Sequence, residues 1–585
     1  MATISEALAI AVQHHQGGRL QAAEQIYRQI LQAEPNQADA IHLLGVIAHQ
    51  MGRHEVAVEY IERAIGLKGN TAAFHANLGA AYFALHRIPQ AVACYRRAVE
   101  LKPDFAEAHG NLGNLLRELG NLDEAVVCYR RAVELMPDVA AAHNNLGNAL
   151  FDQGKPDEAI ECFRRALELK PEFAEAHNSL GAAIKNLGKL DEAVACYRRA
   201  LELNPDYAAV HSNLGTVLKD QGKLDEAIVC YRRALALNPD FAEAHNNLGI
   251  AFKDQGKLEE AVVCCRRALA LKSDYAEAHS NLGIALKEQR KLDEAIACFR
   301  RALELKPDFP TFLDNLLRPL QDTCCWKDLK ALSARLIEIV DRYGDSGIPF
   351  SVPPFTFLTL PTITTAEQQL RYARNWVDRQ LKAIGEPVDN LARHRPSKPK
   401  SKITIAYLSA DFHSHATAWL IAEMIEKHDR DRFAVLGYSF GPDDRSPTRQ
   451  RLVGAFDRFV DVKDAAFATA AERIAADGVD ILVDLKGYTK DARTEILSLR
   501  PAPIQVNYLG YPGTMGAEFM DYILVDDYVV PSDQHPFFTE KLVYLPGCYQ
   551  VNDSRREISG RTPSREECKL PADGFVFCSF NNNYK

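Results

Sequence analysis

Three stretches in the second half of the chain gather the residue types that move protons or hold an anion. The first, Ser409-Ala-Asp-Phe-His-Ser-His-Ala-Thr, sets Asp411, two histidines (among them His415) and Thr417 directly behind a β-branched run. The second, Lys486-Gly-Tyr-Thr-Lys-Asp-Ala-Arg, carries Lys490 and Arg493, and the third, Tyr508-Leu-Gly-Tyr-Pro-Gly-Thr-Met-Gly, contains Gly510. Imidazole beside a carboxylate is suited to proton transfer near neutral pH. Lysine and arginine neutralise an anion, and glycines admit close backbone approach. One histidine in one loop is ordinarily solvated or structural, whereas three polar loops converging on one edge make a site.

Convergence requires a scaffold, and the periodicity after Lys402 supplies one. Strands are expected at 403–408, 433–440, 479–485, 504–508, 522–525, 542–544 and 575–580, with helices at 419–426, 465–476 and 493–499. This alternation is that of a doubly wound parallel α/β sheet, which binds ligands at the carboxyl ends of its strands. All three stretches fall at such ends.

The first half follows a different rule. Pro35, Pro103, Pro137, Pro171, Pro205, Pro239 and Pro307 share a 34-residue register, with Gly69 and Ser273 in the gaps, so nine units span 4–309. Within each unit a glycine (Gly45, Gly79, Gly113 and onward), an alanine (Ala23, Ala57, Ala91 and onward) and an aromatic (Tyr95, Tyr129, Phe163, Tyr197) recur at helical spacing, predicting two closely packed helices. Proline stops the second helix. Histidine at the fourth position (His42, His75, His109, His143, His177, His211, His245, His279) reads as a packing residue. Asparagine at the sixth (Asn77, Asn111, Asn145, Asn213, Asn247, Asn281, Asn315, interrupted by Ser179) is a poor helix former. Its recurrence is read as an amide ladder able to pair with the backbone of an extended polypeptide. Seven of the 13 cysteines keep the same step and no CxxC occurs, so they read as small core residues of a reduced protein without metal.

The repeats, through His143 to Gly147, Asp123 to Ala125, Tyr129 to Ala132 and Pro137, resemble the tetratricopeptide repeat, an α-solenoid. The division expected is repeats at 4–309, capping helices at 310–340, a linker with a helical segment at 341–401 and a catalytic lobe at 402–585. A net charge of −9 gives no global attraction to nucleic acid. No apolar run suggests a membrane span, and the first fifteen residues lack a basic signal start, so a cytoplasmic protein is expected.

Gly487-Tyr-Thr-Lys, Arg500-Pro-Ala-Pro-Ile-Gln, Leu509-Gly-Tyr-Pro-Gly-Thr, Met520-Asp-Tyr-Ile and Phe577 to Lys585 resemble the protein O-GlcNAc transferase family, including the SPINDLY O-fucosyltransferases. The resemblance implies a GT-B enzyme, Rossmann-like in its N-terminal lobe, that inverts the anomeric centre without metal or other cofactor. It implies transfer of GlcNAc from UDP-GlcNAc to Ser or Thr of a polypeptide in the repeat groove, with a homodimer allowed. Alternatives are fucosyl transfer from GDP-fucose and a non-catalytic adaptor. By motif, His415 matches the active-site histidine, with Ala416 in place of the usual proline before Thr417, and Asp411 matches a relay carboxylate. Lys490 and Gly510 match positions around sugar and acceptor. Asn582 and Lys585 match the nucleotide segment, Lys585 as the diphosphate-neutralising lysine. Relatives carry a histidine where Phe355 or Thr356 stands here. They also continue into a second lobe past Lys585, so the stretch given is expected to be a fragment with little activity alone.

Overall fold

The computed structural model describes residues 3–344, 352–360, 364–384, 391, 401–555 and 564–567. The chain divides into two compact units, 1–251 and 252–585.

The first unit is made of helix pairs. First helices such as Ala72–Ala84, Ala106–Glu118 and Ala140–Asp152 have 13 residues, and second helices such as Ile88–Leu101, Leu122–Leu135 and Pro156–Leu169 have 14. Asp123 and Glu124 lie in the first turn of their helix, where its dipole favours negative charge. The recurring glycine allows the pair to close: a Cβ on Gly147 would lie 2.6 Å from the Phe163 ring. Tyr129, Phe163, Tyr197 and Tyr231 are all buried in this way. Each such ring contributes about 1.5–3 kcal/mol by its burial.

The histidines divide into two roles. In His75, His109, His143, His177, His211 and His245, Nε2 lies 2.8–3.1 Å from the carbonyl six residues back, in the turn before the helix. A carbonyl only accepts, so Nε2 carries the proton and ties each first helix to its own turn. His42 does not belong to this set. It sits one residue out of register, is buried, and stacks on Phe74 with ring centroids 4.2 Å apart. Burial pushes its pKa down to about 4. Asn77 donates to His42 Nε2 at 2.9 Å, and Asn213 donates to Asn178 Oδ1 at 2.9 Å. These ladder amides therefore also bond to the preceding helix pair.

The second unit continues with Ala276–Glu288, Leu292–Leu305, Pro310–Asp322, Trp326–Gly344, Pro354–Thr359 and Ala366–Ile384, followed by a sheet. Its strands are β1 (Ile403–Ser409), β2 (Phe433–Ser439), β3 (Arg458–Asp461), β4 (Ile481–Asp484), β5 (Ile504–Asn507), β6 (Tyr522–Val525) and β7 (Lys541–Tyr544). All pairings are parallel, in the order β3-β2-β1-β4-β5-β6-β7. Alternate residues face two cores. Ala406, Leu408, Leu436, Tyr438 and Leu482 enter one, and Tyr407, Val435, Val483 and Val506 enter the other.

Three expectations shift. The helix Pro447–Ala455 and the four-residue strand β3, with its charged ends, went unread in the sequence. The helix Ala366–Ile384, expected within a linker, instead sends Ala373 and Val377 into the same core as Ala406 and Leu482. Its apolar stripe joins Ala470, Ile474 and Ile496 on that face of the sheet. The strand expected at 575–580 lies outside the described residues. Among the described residues, no helix is long and apolar enough to cross a membrane.

Candidate active site

In this strand order β1 and β4 are neighbours whose connections leave in opposite directions, and a crevice opens beyond their carboxyl ends. The chain holds these ends close together with glycine. A Cβ on Gly441, just after β2, would lie 1.7 Å from Ala410 O, and one on Gly510 would lie 2.1 Å from Leu485 O. The loops after β1, β2, β4 and β5 are thus packed backbone on backbone.

Asp411 leaves β1 into this crevice. It is buried and paired with buried Lys486, whose Nζ lies 3.0 and 3.1 Å from the two carboxylate oxygens. Thr417 Oγ1 donates to Asp411 Oδ2 at 3.4 Å, and His415 Nδ1 lies 3.6 Å from the same oxygen. His415 is also the N-cap of the helix Ala416–Glu426, its Nδ1 accepting the Thr417 N–H at 3.2 Å. In that tautomer the ring proton is on Nε2. For Nε2 to accept a proton, the ring proton must instead sit on Nδ1, which gives up the Thr417 cap and faces Asp411 Oδ2. The expected residues His415, Asp411 and Thr417 are therefore brought together. Lys486, which the sequence displayed without singling out, is the cation that holds them.

Below the loop after β4, Asp484 accepts the backbone N–H of Lys486 at 3.0 Å and of Gly487 at 2.9 Å. Burial pushes its pKa up to about 6, against those hydrogen bonds, with Asp411 adding in the same direction. This carboxyl shapes the turn from which Lys486 and Lys490 project.

Helix Ala416–Glu426 is anchored at its other side by Glu423, which accepts the Ser554 N–H at 2.6 Å and pairs with Lys427 at 2.7 Å. The Lys427 and Ser554 hydrogen bonds pull its pKa down to about 2 from an ordinary value near 4.5. A depressed carboxyl stabilises the fold above its ordinary range and loses that effect as pH falls through the folded value. Protection of the Ser554 amide is therefore expected to disappear between pH 4.5 and about 2, as read by hydrogen exchange. Protection persisting at pH 2 would contradict this anchoring.

Lys490 lies elsewhere, in a cavity of about 490 Å³ that it shares with Lys287, Asp314, Asn315 and Thr356. Asn315 is the last member of the ladder and donates to Ser280 Oγ at 3.2 Å. Thr356 Oγ1 donates to Asp314 Oδ1 at 2.7 Å. His415 does not line this cavity. The link between cavity and crevice is the loop itself: Lys486 turns to Asp411 and, four residues on, Lys490 enters the cavity. Asp314 went unread in the sequence, although a carboxylate stands there at a position that holds Asn178, Ser212, Asn246 and Ser280 in earlier units.

Arg493 lies apart from both groups. Its guanidinium donates to the carbonyls of Val462 (2.8 Å), Lys463 (3.3 Å) and Ala465 (2.5 Å) and stacks 4.7 Å from the Phe467 ring centroid. It is committed to a loop and does not line the cavity. Gly510 lies against the Leu485 carbonyl, in the loop after β5. Asn582 and Lys585 lie outside the described residues.

Residues 323–562 match the model of glycosyl transferase family 41. Less than half of the chain lies within that match. The match opens at 323, so the helix Ala366–Ile384 falls within it. Upstream, a tetratricopeptide repeat model matches 14–81 and a TPR repeat model 79–116. The model of the cilia and flagella-associated protein 70 C-terminal domain matches 104–310.

Proteins similar to this chain include the probable UDP-N-acetylglucosamine--peptide N-acetylglucosaminyltransferase SEC of Arabidopsis thaliana. It is 34% identical over 280 residues, 46% of this chain and 29% of that one. The UDP-N-acetylglucosamine--peptide N-acetylglucosaminyltransferase of Caenorhabditis elegans is 36% identical over 238 residues, 40% and 21% of the two chains. The Arabidopsis thaliana protein named as a probable transferase of the same type, SPINDLY, is 33% identical over 193 residues, 32% and 20%. The matched regions thus span less than a third of each relative's length.

Proposed function

We propose that the protein transfers N-acetylglucosamine from UDP-N-acetylglucosamine to Ser or Thr hydroxyls of a polypeptide held by its repeats. The observation that carries this reading is the family 41 match at 323–562, joined to a run of repeats and to relatives named as peptide N-acetylglucosaminyltransferases. In the reaction the acceptor oxygen forms a bond to the anomeric carbon, the bond from that carbon to the diphosphate breaks, and UDP leaves with the electron pair. The hydroxyl proton must go to a base. His415 is assigned that role, which requires its ring proton on Nδ1, toward Asp411, and release of the Thr417 N–H cap, with Lys486 paired to Asp411. Asn582 and Lys585 are assigned to the nucleotide, Lys585 stabilising charge on the departing diphosphate.

The test incubates the complete protein and its His415→Ala variant with UDP-GlcNAc or GDP-fucose and a Ser/Thr peptide library, followed by intact mass. A GlcNAc-sized increment is expected, with its rate falling about a hundredfold in the variant, the lower end of what a positioned base contributes. An increment only from GDP-fucose would reassign the donor, and none from either would leave an adaptor. An unchanged rate in the variant would remove His415 from its role.

A further inference from the structure

The cavity that holds Lys490 is formed by the helices Ala276–Glu288 and Pro310–Asp322, by Pro354–Thr359 and by the loop after β4. Two of its cations are in no ion pair. Among the described residues neither Lys287 nor Lys490 has a hydrogen-bond or ion-pair partner. Asp314 and Glu288 attract Lys287 from beyond ion-pair distance, Asp314 already accepting from Thr356, while Lys490 and Arg318 repel it. The other carboxylates on the wall are Glu495, itself beside Arg493, and exposed Asp491. Desolvation disfavours the charged forms of Lys287, Asp314 and Glu495 alike. A recessed lysine beside a second lysine, neither in an ion pair, leaves room for a further anion.

The occupant is indicated by what shares the wall. Asn315 ends the amide ladder inside this cavity, so a polypeptide following the amides passes these lysines. The volume, about 490 Å³, admits a side chain together with its backbone. We propose that the cavity takes an acidic side chain of the acceptor polypeptide, its carboxylate held between Lys287 and Lys490 while Asn315 pairs with the peptide backbone. This rests on the reading that the repeats hold a polypeptide, and it makes the site selective for Asp or Glu near the modified hydroxyl.

Binding is measured by fluorescence anisotropy on the full chain, with fluorescein-labelled Ala-rich peptides that carry one Thr. Glu, Gln or Lys is placed in turn at each position within three residues of that Thr. At one or more positions the Glu peptide is expected to bind about five- to tenfold tighter than its Gln counterpart, less so as salt rises. The preference disappears in Lys287→Gln, survives in Lys287→Arg and is weakened in Lys490→Gln, whose exposed side chain makes misfolding an unsuitable explanation. Equal binding of Glu and Gln peptides at every position overturns the proposal and leaves the polypeptide reading standing. So does a Glu preference that persists in both glutamine variants. If no peptide binds, the polypeptide reading falls and this proposal falls with it.

Discussion

Replacement of Lys486 by Met is expected to destabilise the second unit by about 3–5 kcal/mol, because it leaves Asp411 buried with no cation. The pair spans β1 and β4, so its loss acts across the switch point of the sheet. The measurement is convenient here: all three tryptophans, Trp326, Trp376 and Trp419, lie in the second unit, so intrinsic fluorescence in urea reports that unit and not the first. Adding Asp411→Asn to Lys486→Met is expected to restore part of the loss, since the orphaned charge is then gone. A Lys486→Met protein that unfolds at the wild-type urea concentration would show that the pair carries no net stability.

Gly510→Ala is expected to cost about 4 kcal/mol or more, at the extreme of single substitutions. Its Cβ would lie 2.1 Å from the Leu485 carbonyl oxygen, and Leu485 cannot retreat freely because its N–H donates to Leu408 O of β1 at 3.1 Å. The expected result is an early fluorescence transition together with lost glycosyl transfer. A variant that melts like wild type but no longer transfers sugar would instead place Gly510 at the substrate, as the family resemblance implies.

These two sites show how far sequence reading reaches. The loop residues Asp411, His415 and Thr417 were legible because they follow a β-branched run, and the carboxyl end of such a run is where a parallel sheet leaves its ligands. Their cation was not legible. Lys486 and Lys490 stand four residues apart in one loop with the same chemistry, and nothing in their order says that one is spent on Asp411 while the other faces the cavity. The partners of Arg493 were hidden for the same reason: they are three carbonyls near residue 463, about thirty residues away along the chain and set by the position of β3, a strand too short and too charged to read.

By itself the sequence determined the periodic part of this protein. A 34-residue step fixes where each helix begins and ends, and a 2-residue alternation fixes which strand residues face a core, because both depend only on local backbone geometry and the burial of apolar side chains. The tertiary structure decided the pairings between distant segments. It seated the helix Ala366–Ile384 against the sheet, joined Asp411 to Lys486, and opened beside Asn315 a cavity with two lysines in no ion pair. Charge pairing acts through space and is enforced by desolvation, so which cation answers which carboxylate becomes defined only when packing has excluded water from both.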